Sequence, residues 1–305
     1  MEYEKSNFEK ILESGQFAVT AEIGPPMSAD ANNVRGKAHE IKGMVDAANV
    51  TDNQTAIVRM SSIAASYLSE QEGVECIVQM TMRDRNRIAM QSDLLGAWAL
   101  GLRNLLVLSG DHQSFGNHKD SKNVHDMDSI QFLGSMRKLK EDGIFAGGSV
   151  CKFPPQFFLG ATANPFADPE ELQFIRLEKK IRAGAQFVQT QCIYDMEKFE
   201  AWMEKVRARG LHEQAYIQAG IMVNKSLKSI QMTQLVAGMD VPDSVVERFE
   251  KAEDKQACGV DFALELVEGI KKIKGISGLH IMAVGWEDIV PTIVERAKFL
   301  PRPVV

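Results

Sequence analysis

Short apolar runs rich in β-branched residues alternate along this chain with stretches of helical periodicity. The runs have the length and bounding turn residues typical of buried strands, and the stretches between them are amphipathic. Several of the helical stretches end in a glycine, as helix C termini often do. The predicted strands cover residues 17–23, 45–51, 75–81, 104–109, 157–162, 186–191, 216–222 and 279–284.

Strands that alternate with helices in this way favour a (β/α)8 TIM barrel of the α/β class. Eight strands within 305 residues fit a single barrel domain over residues 1–305, with extra helices between strands seven and eight at 226–274. A doubly wound open sheet is the alternative, but no GxGxxG turn follows the first strand. Asp84 and Asp168 stand where helix N-caps are expected, and Pro169 fits a first helical position.

Polar side chains stand at the predicted C-terminal ends of most strands, where the active site of a barrel lies. One polar strand end is usually a solvated loop residue. Polar residues at most of the strand ends would instead converge on one concave site, and such a concentration indicates a binding or active site. The main members of this ring are Glu22, Thr51, Gln79, Asp111, Asn164 and Gln191.

Charge and hydropathy exclude several classes of partner. The net charge is −6, with 35 basic and 41 acidic residues, so neither a nucleic acid nor an anionic membrane is expected to bind. The most apolar stretch, 94–108, is interrupted by Arg103 and Asn104, which argues against a membrane span. The N-terminal "MEYEKSNFEK" lacks the apolar core of a signal peptide, and a cytoplasmic protein is expected.

Cysteine and histidine spacing predicts no metal site. The four cysteines are far apart in sequence and are expected to be free thiols. His112, His118 and His125 share one long loop and are expected to lie at the surface. Amides beside carboxylates instead suit a flat heterocycle with mixed donors and acceptors, such as a pterin or a flavin. Glu22, flanked by prolines and apolar residues, is expected to have a raised pKa and to act as a general acid.

At these residues the sequence resembles the flavin-dependent methylenetetrahydrofolate reductase family. The likeness covers nearly the whole chain and rests on "TAEIGPP", "QMTMRDRNR", "LSGDH", "GATANP" and, most specifically, "LEKKIRAGAQFVQTQ". It implies a barrel that holds FAD rather than FMN. It also implies reduction of 5,10-methylenetetrahydrofolate to 5-methyltetrahydrofolate in one-carbon metabolism.

The resemblance also implies roles for individual residues. Glu22 and Asp111 match catalytic positions, and both are expected to contact the folate. Lys180 matches a basic residue near the cofactor phosphates. A position on a solvent-exposed helix face, without contact to the cofactor, is an equal alternative for this lysine. The expected flavin contacts are Thr51, Gln79, Ser109, Gly110, Asp111, Asn164, Arg176, Lys179 and Lys180, and the further folate contacts are Gln191 and Ser229.

Some positions depart from the family pattern, chiefly on surfaces that would face a nicotinamide or the folate tail. Ser109 stands where the family often has arginine, and Ile23-Gly24 follow Glu22 where aromatics are common. The electron donor is therefore either NAD(P)H or a partner flavoprotein or iron–sulfur protein, and an oligomer is expected. Two alternatives stay open. One is a pterin-dependent methyltransferase barrel without flavin, and the other is a flavin- or folate-binding subunit that is inactive alone.

Overall fold

A computed structural model describes residues 3–236 and 238–305 of the protein. Within them, eight parallel strands pair in chain order, and the last pairs with the first to close a barrel. The predicted (β/α)8 fold is therefore confirmed. The strands are β1 (Ala18–Ile23), β2 (Ala47–Val50), β3 (Cys76–Thr81), β4 (Asn104–Leu108), β5 (Phe158–Ala163), β6 (Phe187–Cys192), β7 (Tyr216–Met222) and β8 (Ile276–Met282).

The described helices follow the strands in the expected alternation, and one more precedes β1. The additional helices predicted between the last two strands are present, because the described residues between β7 and β8 form three helices. The helices are α1 (Asn7–Glu13), α2 (Ala31–Ile41), α3 (Ser62–Gln71), α4 (Arg87–Ala99), α5 (Ser129–Asp142), α6 (Glu170–Arg182), α7 (Met196–Ala208), α8 (Leu227–Gln234), α9 (Asp243–Lys251), α10 (Lys255–Ile270) and α11 (Val290–Arg296).

The largest error in strand position concerns β8, which begins at Ile276 rather than Leu279 and ends at Met282. The prediction started too late because Gly278 interrupts the apolar pattern, and glycine is depleted in strands. Its position in the barrel explains why it is there. A Cβ on Gly278 would lie 2.5 Å from the carbonyl oxygen of Ala18 on the neighbouring strand.

Two predicted helix caps are wrong. Asn86, not Asp84, caps α4, because its side-chain oxygen accepts hydrogen bonds from two backbone N–H groups of the first turn. The carboxylate of Asp84 instead forms an ion pair with the guanidinium of Arg83. Pro169 is the N-cap residue of α6, so Asp168 lies outside this helix.

Aromatic side chains fill the end of the barrel where the strands begin. Phe158 and Phe187 stack with ring centroids 5.0 Å apart. Phe8 of α1 packs edge-on against both, at 5.7 Å and 5.2 Å. Gly160 makes room for this layer, since a Cβ there would lie 2.1 Å from the Phe187 ring. α1 therefore closes this end, which we call the closed end.

A hydrogen-bonded polar layer lies above the aromatic one. Gln189 donates to Asn49 and Gln218 at 3.1 Å and 3.0 Å, and Asn49 donates back at 2.6 Å. Thr20 is bonded to the Nδ1 atom of His280 at 3.0 Å. Burial lowers the pKa of His280 to about 3, so this ring stays neutral. Gln189 is thus a core residue, one layer below Gln191.

Candidate active site

The next layer of side chains lies at the C-terminal ends of the strands, which we call the mouth. Strand alternation places Glu22, Thr51, Gln79 and Gln191 two residues beyond inward-facing positions of the layers below. Thr51 is 2% exposed, and its hydroxyl has no hydrogen-bond partner among the described residues. The main-chain carbonyls of Gln79 and Gln191 accept hydrogen bonds from the hydroxyls of Ser62 and Thr190, and neither side-chain amide has a hydrogen-bond partner among the described residues.

Glu22 is the carboxylic acid of this layer. Burial, and secondly the negative charge of Glu287, raise its pKa to about 7. None of the described residues lowers this pKa by a hydrogen bond to the carboxylate. Lys37 lies between the loop after β1 and Glu287, donating to the Gly24 carbonyl at 2.9 Å and to the Glu287 carboxylate at 2.8 Å. A large fraction of Glu22 therefore carries a proton at neutral pH.

Asp111 lies outside this layer, in the loop after β4, and is exposed. One of its carboxylate oxygens accepts a hydrogen bond from the Thr55 backbone N–H at 3.0 Å. Its carbonyl accepts another from Arg83 at 2.9 Å. Ser109 is exposed, and Gly110 has a φ of +81° with Thr81 so close that a Cβ would lie 3.0 Å from it. The structure therefore brings Asp111 to the turn after β2.

Two arginines after β3 join the loops of this side of the mouth. Arg83 is 2% exposed and forms an ion pair with Asp84 at 2.7 Å. Arg85 binds the buried carboxylate of Asp52 with two bonds, at 2.7 Å and 3.2 Å. Neither arginine was predicted to form these contacts, because "RDRNR" was used only as part of a family motif. The alternation of acid and base in that run was the signal for these pairs.

The three basic residues of α6 have different surroundings. Lys180 is buried, so its solvated-face alternative is wrong, and its ammonium donates to the Thr162 carbonyl at 2.6 Å. Burial, and secondly the charge of Arg176, lower the pKa of Lys180 to about 8. Lys179 is exposed. Arg176 is exposed as well and lines a cavity of about 290 Å³ together with Ser109 and the first residues of α5.

Asn164 and Ser229 lie on the other side of the mouth. Asn164 is half-buried, and its side-chain oxygen accepts from the Phe166 N–H at 3.3 Å. The hydroxyl of Ser229 donates to the Ser226 carbonyl at 2.7 Å and accepts from the Ser226 N–H at 3.2 Å. Ser229 therefore belongs to the N-terminal cap of α8, where most of its hydrogen-bonding capacity is used.

Neither a metal centre nor a membrane span emerges from the described part of the chain. In residues 3–236 and 238–305, no three His, Cys, Asp or Glu side chains cluster closely enough to ligate an ion. In the same residues, no helix combines the length and apolar character needed to cross a bilayer. The four cysteines are free thiols, and two of them, Cys76 and Cys192, are buried.

Comparison with known sequences decides the family. Residues 7–298 match the sequence model of the family described as methylenetetrahydrofolate reductase. The chain belongs to the methylenetetrahydrofolate reductase family. The resemblance seen in "LEKKIRAGAQFVQTQ" and the other strand-end motifs is thereby confirmed.

Individual relatives in this family are distant in sequence. A probable methylenetetrahydrofolate reductase (NADPH) from Caenorhabditis elegans is 24% identical over 251 residues, which cover 80% of this chain and 35% of that protein. A 5,10-methylenetetrahydrofolate reductase from Pectobacterium carotovorum is 23% identical over 283 residues, covering 90% of this chain and 88% of that protein. The chain spans between 35% and 39% of the length of the first curated relatives it matches.

A solved structure agrees with the fold. An uncharacterized protein from Clostridium thermocellum, which binds two copies of 5-methyl-5,6,7,8-tetrahydrofolic acid, superimposes with a TM-score of 0.68. The match covers 97% of this chain and 100% of that one, at 15% sequence identity. At this identity the likeness shows the shared barrel fold alone.

Proposed function

We propose that this member of the family reduces 5,10-methylenetetrahydrofolate to 5-methyltetrahydrofolate with a bound flavin, FAD. The observation that carries the proposal is Glu22, a half-buried carboxyl at the mouth whose pKa is raised to about 7. Such a group is half protonated at the pH where the reaction must run, which is what a general acid requires. Membership of the family and the binding of 5-methyltetrahydrofolate by a protein of the same fold support folate as the substrate class.

The residues of the mouth fit a flavin. Thr51 offers a buried hydroxyl without a partner, and Gln79 offers a free amide, so both have hydrogen bonds to give to a polar ring. Arg176, which lines the cavity beside Ser109, and the buried ammonium of Lys180 carry positive charge that would suit the phosphates of FAD. Bound flavin would supply the hydride, and the protein residues would supply orientation and charge.

Each remaining residue has a proposed task toward the folate. Glu22 holds a proton and donates it to the substrate nitrogen that leaves the methylene carbon. Asp111 has one carboxylate oxygen on the Thr55 N–H, and its other oxygen is proposed to stabilise the cation that results. Gln191 binds the pterin through its free amide. Positioning of this kind can supply on the order of 7–11 kcal/mol of rate enhancement.

The absorption spectrum of the purified protein tests this proposal first. A flavin spectrum that is bleached by an artificial reductant and restored by methylenetetrahydrofolate, with 5-methyltetrahydrofolate as product, is the expected result. A colourless protein that takes up no added flavin but transfers a methyl group would instead establish the pterin-dependent methyltransferase.

The electron donor is decided by a second measurement on the same sample. Bleaching by NADH or NADPH alone identifies a self-sufficient reductase. Bleaching only in the presence of a flavoprotein or iron–sulfur partner identifies a subunit of an electron-transfer complex. We propose the partner-dependent form, because Ser109 and Ile23-Gly24 depart from the family pattern on surfaces that would face a nicotinamide.

A further inference from the structure

Arg83 is a buried cation that the proposed reaction does not use. Its Nε and Nη2 atoms donate to the Asp84 carboxylate, each at 2.7 Å. The remaining hydrogen bonds go to two loops of the mouth: Nη1 donates to the Asp111 carbonyl at 2.9 Å and Nη2 to the Asn53 carbonyl at 3.1 Å. A planar guanidinium can hold such partners in a fixed geometry, which a lysine ammonium cannot do. One side chain just after β3 therefore joins the loops after β2 and β4.

The loop after β2 has an unusual backbone that this contact holds in place. Asn53, Thr55 and Ala56 have φ angles of +47°, +59° and +56°. Positive φ is unfavourable for side chains with a Cβ, above all for a β-branched threonine, and persists only where surrounding contacts enforce it. This conformation presents the Thr55 N–H to the carboxylate of Asp111.

The two loops also approach each other closely at Gly116 and Ala56. A Cβ on Gly116 would lie 1.9 Å from the carbonyl oxygen of Ala56, so any larger residue there would force the loops apart. Gly116 has a φ of −89°, and an L-residue can adopt this backbone without strain. Its requirement for glycine therefore comes from the close approach of the loops alone.

We propose that Arg83 is a positioning residue for the mouth. It fixes the Asn53 and Asp111 carbonyls relative to each other, and thereby holds the Asp111 carboxylate on the Thr55 N–H with one oxygen left for a ligand. This inference rests on the proposed function, because it gives Asp111 its place beside the folate and the flavin. The hydrogen bonds of Arg83 go to Asp84, Asp111 and Asn53, so its proposed role is to position Asp111.

Hydrogen exchange of the ligand-free protein tests the contact directly. In Arg83→Lys the Thr55 amide should exchange at least about tenfold faster than in the wild type, because its acceptor is no longer held in position. Arg87→Lys is the matched control. Arg87 forms a bidentate ion pair with Asp126, which lies in the same loop after β4 as Asp111. Unlike Arg83, Arg87 is exposed. This control should leave exchange at Thr55 unchanged.

Ligand affinity tests the consequence. Arg83→Lys should bind 5-methyltetrahydrofolate about 10-fold to 100-fold more weakly, while its melting temperature stays close to that of Arg87→Lys. Unchanged exchange at Thr55 would overturn the inference. Faster exchange with unchanged affinity would overturn it as well, since the contact would then be merely structural.

Gly116→Ala provides a second variant in which Arg83 is intact. It should raise exchange at Thr55 in the same way, by pushing Ala56 away from the loop after β4. Protection of Thr55 equal to the wild type in this variant would contradict the proposed coupling of the two loops. A wild-type protein that binds neither folate nor flavin would overturn the proposed function instead, and the exchange rates would still decide the role of Arg83.

Discussion

Each end of the barrel holds a half-buried glutamate, and the two glutamates differ in their hydrogen-bond partners. At the closed end, Glu75 accepts hydrogen bonds from the backbone N–H groups of Asn7 and Phe8, at 2.7 Å and 2.9 Å, and from the Asn104 side chain at 3.0 Å. At the mouth, Glu22 receives none from the described residues. Burial raises the pKa of both carboxyls, but hydrogen bonds lower that of Glu75 again and do not do so for Glu22.

The difference separates a structural acid from a functional one. A buried polar group costs free energy unless its hydrogen bonds are made, so natural structures rarely leave one unpaired without a reason. The carboxylate of Glu75 accepts hydrogen bonds from the first turn of α1, where it also interacts with the positive end of the helix dipole. Glu22, the Thr51 hydroxyl and the side-chain amides of Gln79 and Gln191 keep their hydrogen-bonding capacity, and a ligand at the mouth could form these hydrogen bonds.

Replacing the glutamate by glutamine at each end tests the difference between Glu22 and Glu75. The largest expected effect is the loss of catalysis at the mouth. Glu22→Gln removes the proposed acid and keeps its shape, so kcat for methylenetetrahydrofolate reduction should fall by about 10²–10⁴-fold. Flavin binding and flavin reduction by the donor should be nearly unchanged. Steady-state kinetics and a flavin titration measure both. Near wild-type turnover by this variant would show that Glu22 is not the acid.

At the closed end the effect should fall on stability instead. Glu75→Gln places an amide N–H₂ against the N–H donors of Asn7 or Phe8, so the free energy of unfolding should decrease by about 1–3 kcal/mol. Urea denaturation measures the change. The kcat of the folded fraction should equal that of the wild type. A large loss of kcat with unaltered stability would break the distinction between the two ends.

The closed end and the fold could be predicted from the sequence because they depend on periodicity. Alternation determines which face of β6 points into the barrel, and it therefore places Gln189 in the core and Gln191 one layer above it. The contacts of Arg83 and Glu287 could not be predicted in this way. Both side chains meet partners far away in sequence, at separations set by loop conformation rather than by any repeat.

Helix and strand limits were less predictable than the elements themselves for a similar reason. The carboxylate of Asp84 has the chemistry of an N-cap, but the neighbouring Arg83 binds it, and Asn86 caps α4 instead. Lys180 lies among charged residues in sequence, yet the helix turns it toward Thr162 and buries it. In both cases a tertiary contact overrides a local preference.

The pH dependence of stability sharpens the comparison further. The folded-state pKa of Glu22 is about 7, against an ordinary value of 4.5, so the native state binds the proton more tightly than the unfolded state. Stability from this group is fully present below pH 4.5 and is lost as the pH rises through 7. Glu22→Gln should therefore gain on the order of 2–3 kcal/mol over the wild type at pH 8 and little at pH 4.5. Denaturation of the ligand-free proteins at the two pH values measures this. An equal advantage at both would contradict the raised pKa.

The smallest expected effect comes from the charge that Glu22 senses. Glu287 raises the pKa of Glu22, and Lys37 is held by Glu287 and the Gly24 carbonyl. Glu287→Gln removes the negative charge that raises the pKa of Glu22, and its removal favours the ionised form of Glu22. The descending limb of the kcat–pH profile should therefore move to lower pH, by up to about one unit. Asp288→Asn removes the same charge from the next residue, which is not among the groups that raise the pKa of Glu22, and should leave the limb in place. An upward shift in Glu287→Gln, or equal shifts in both variants, would show that another group controls the limb.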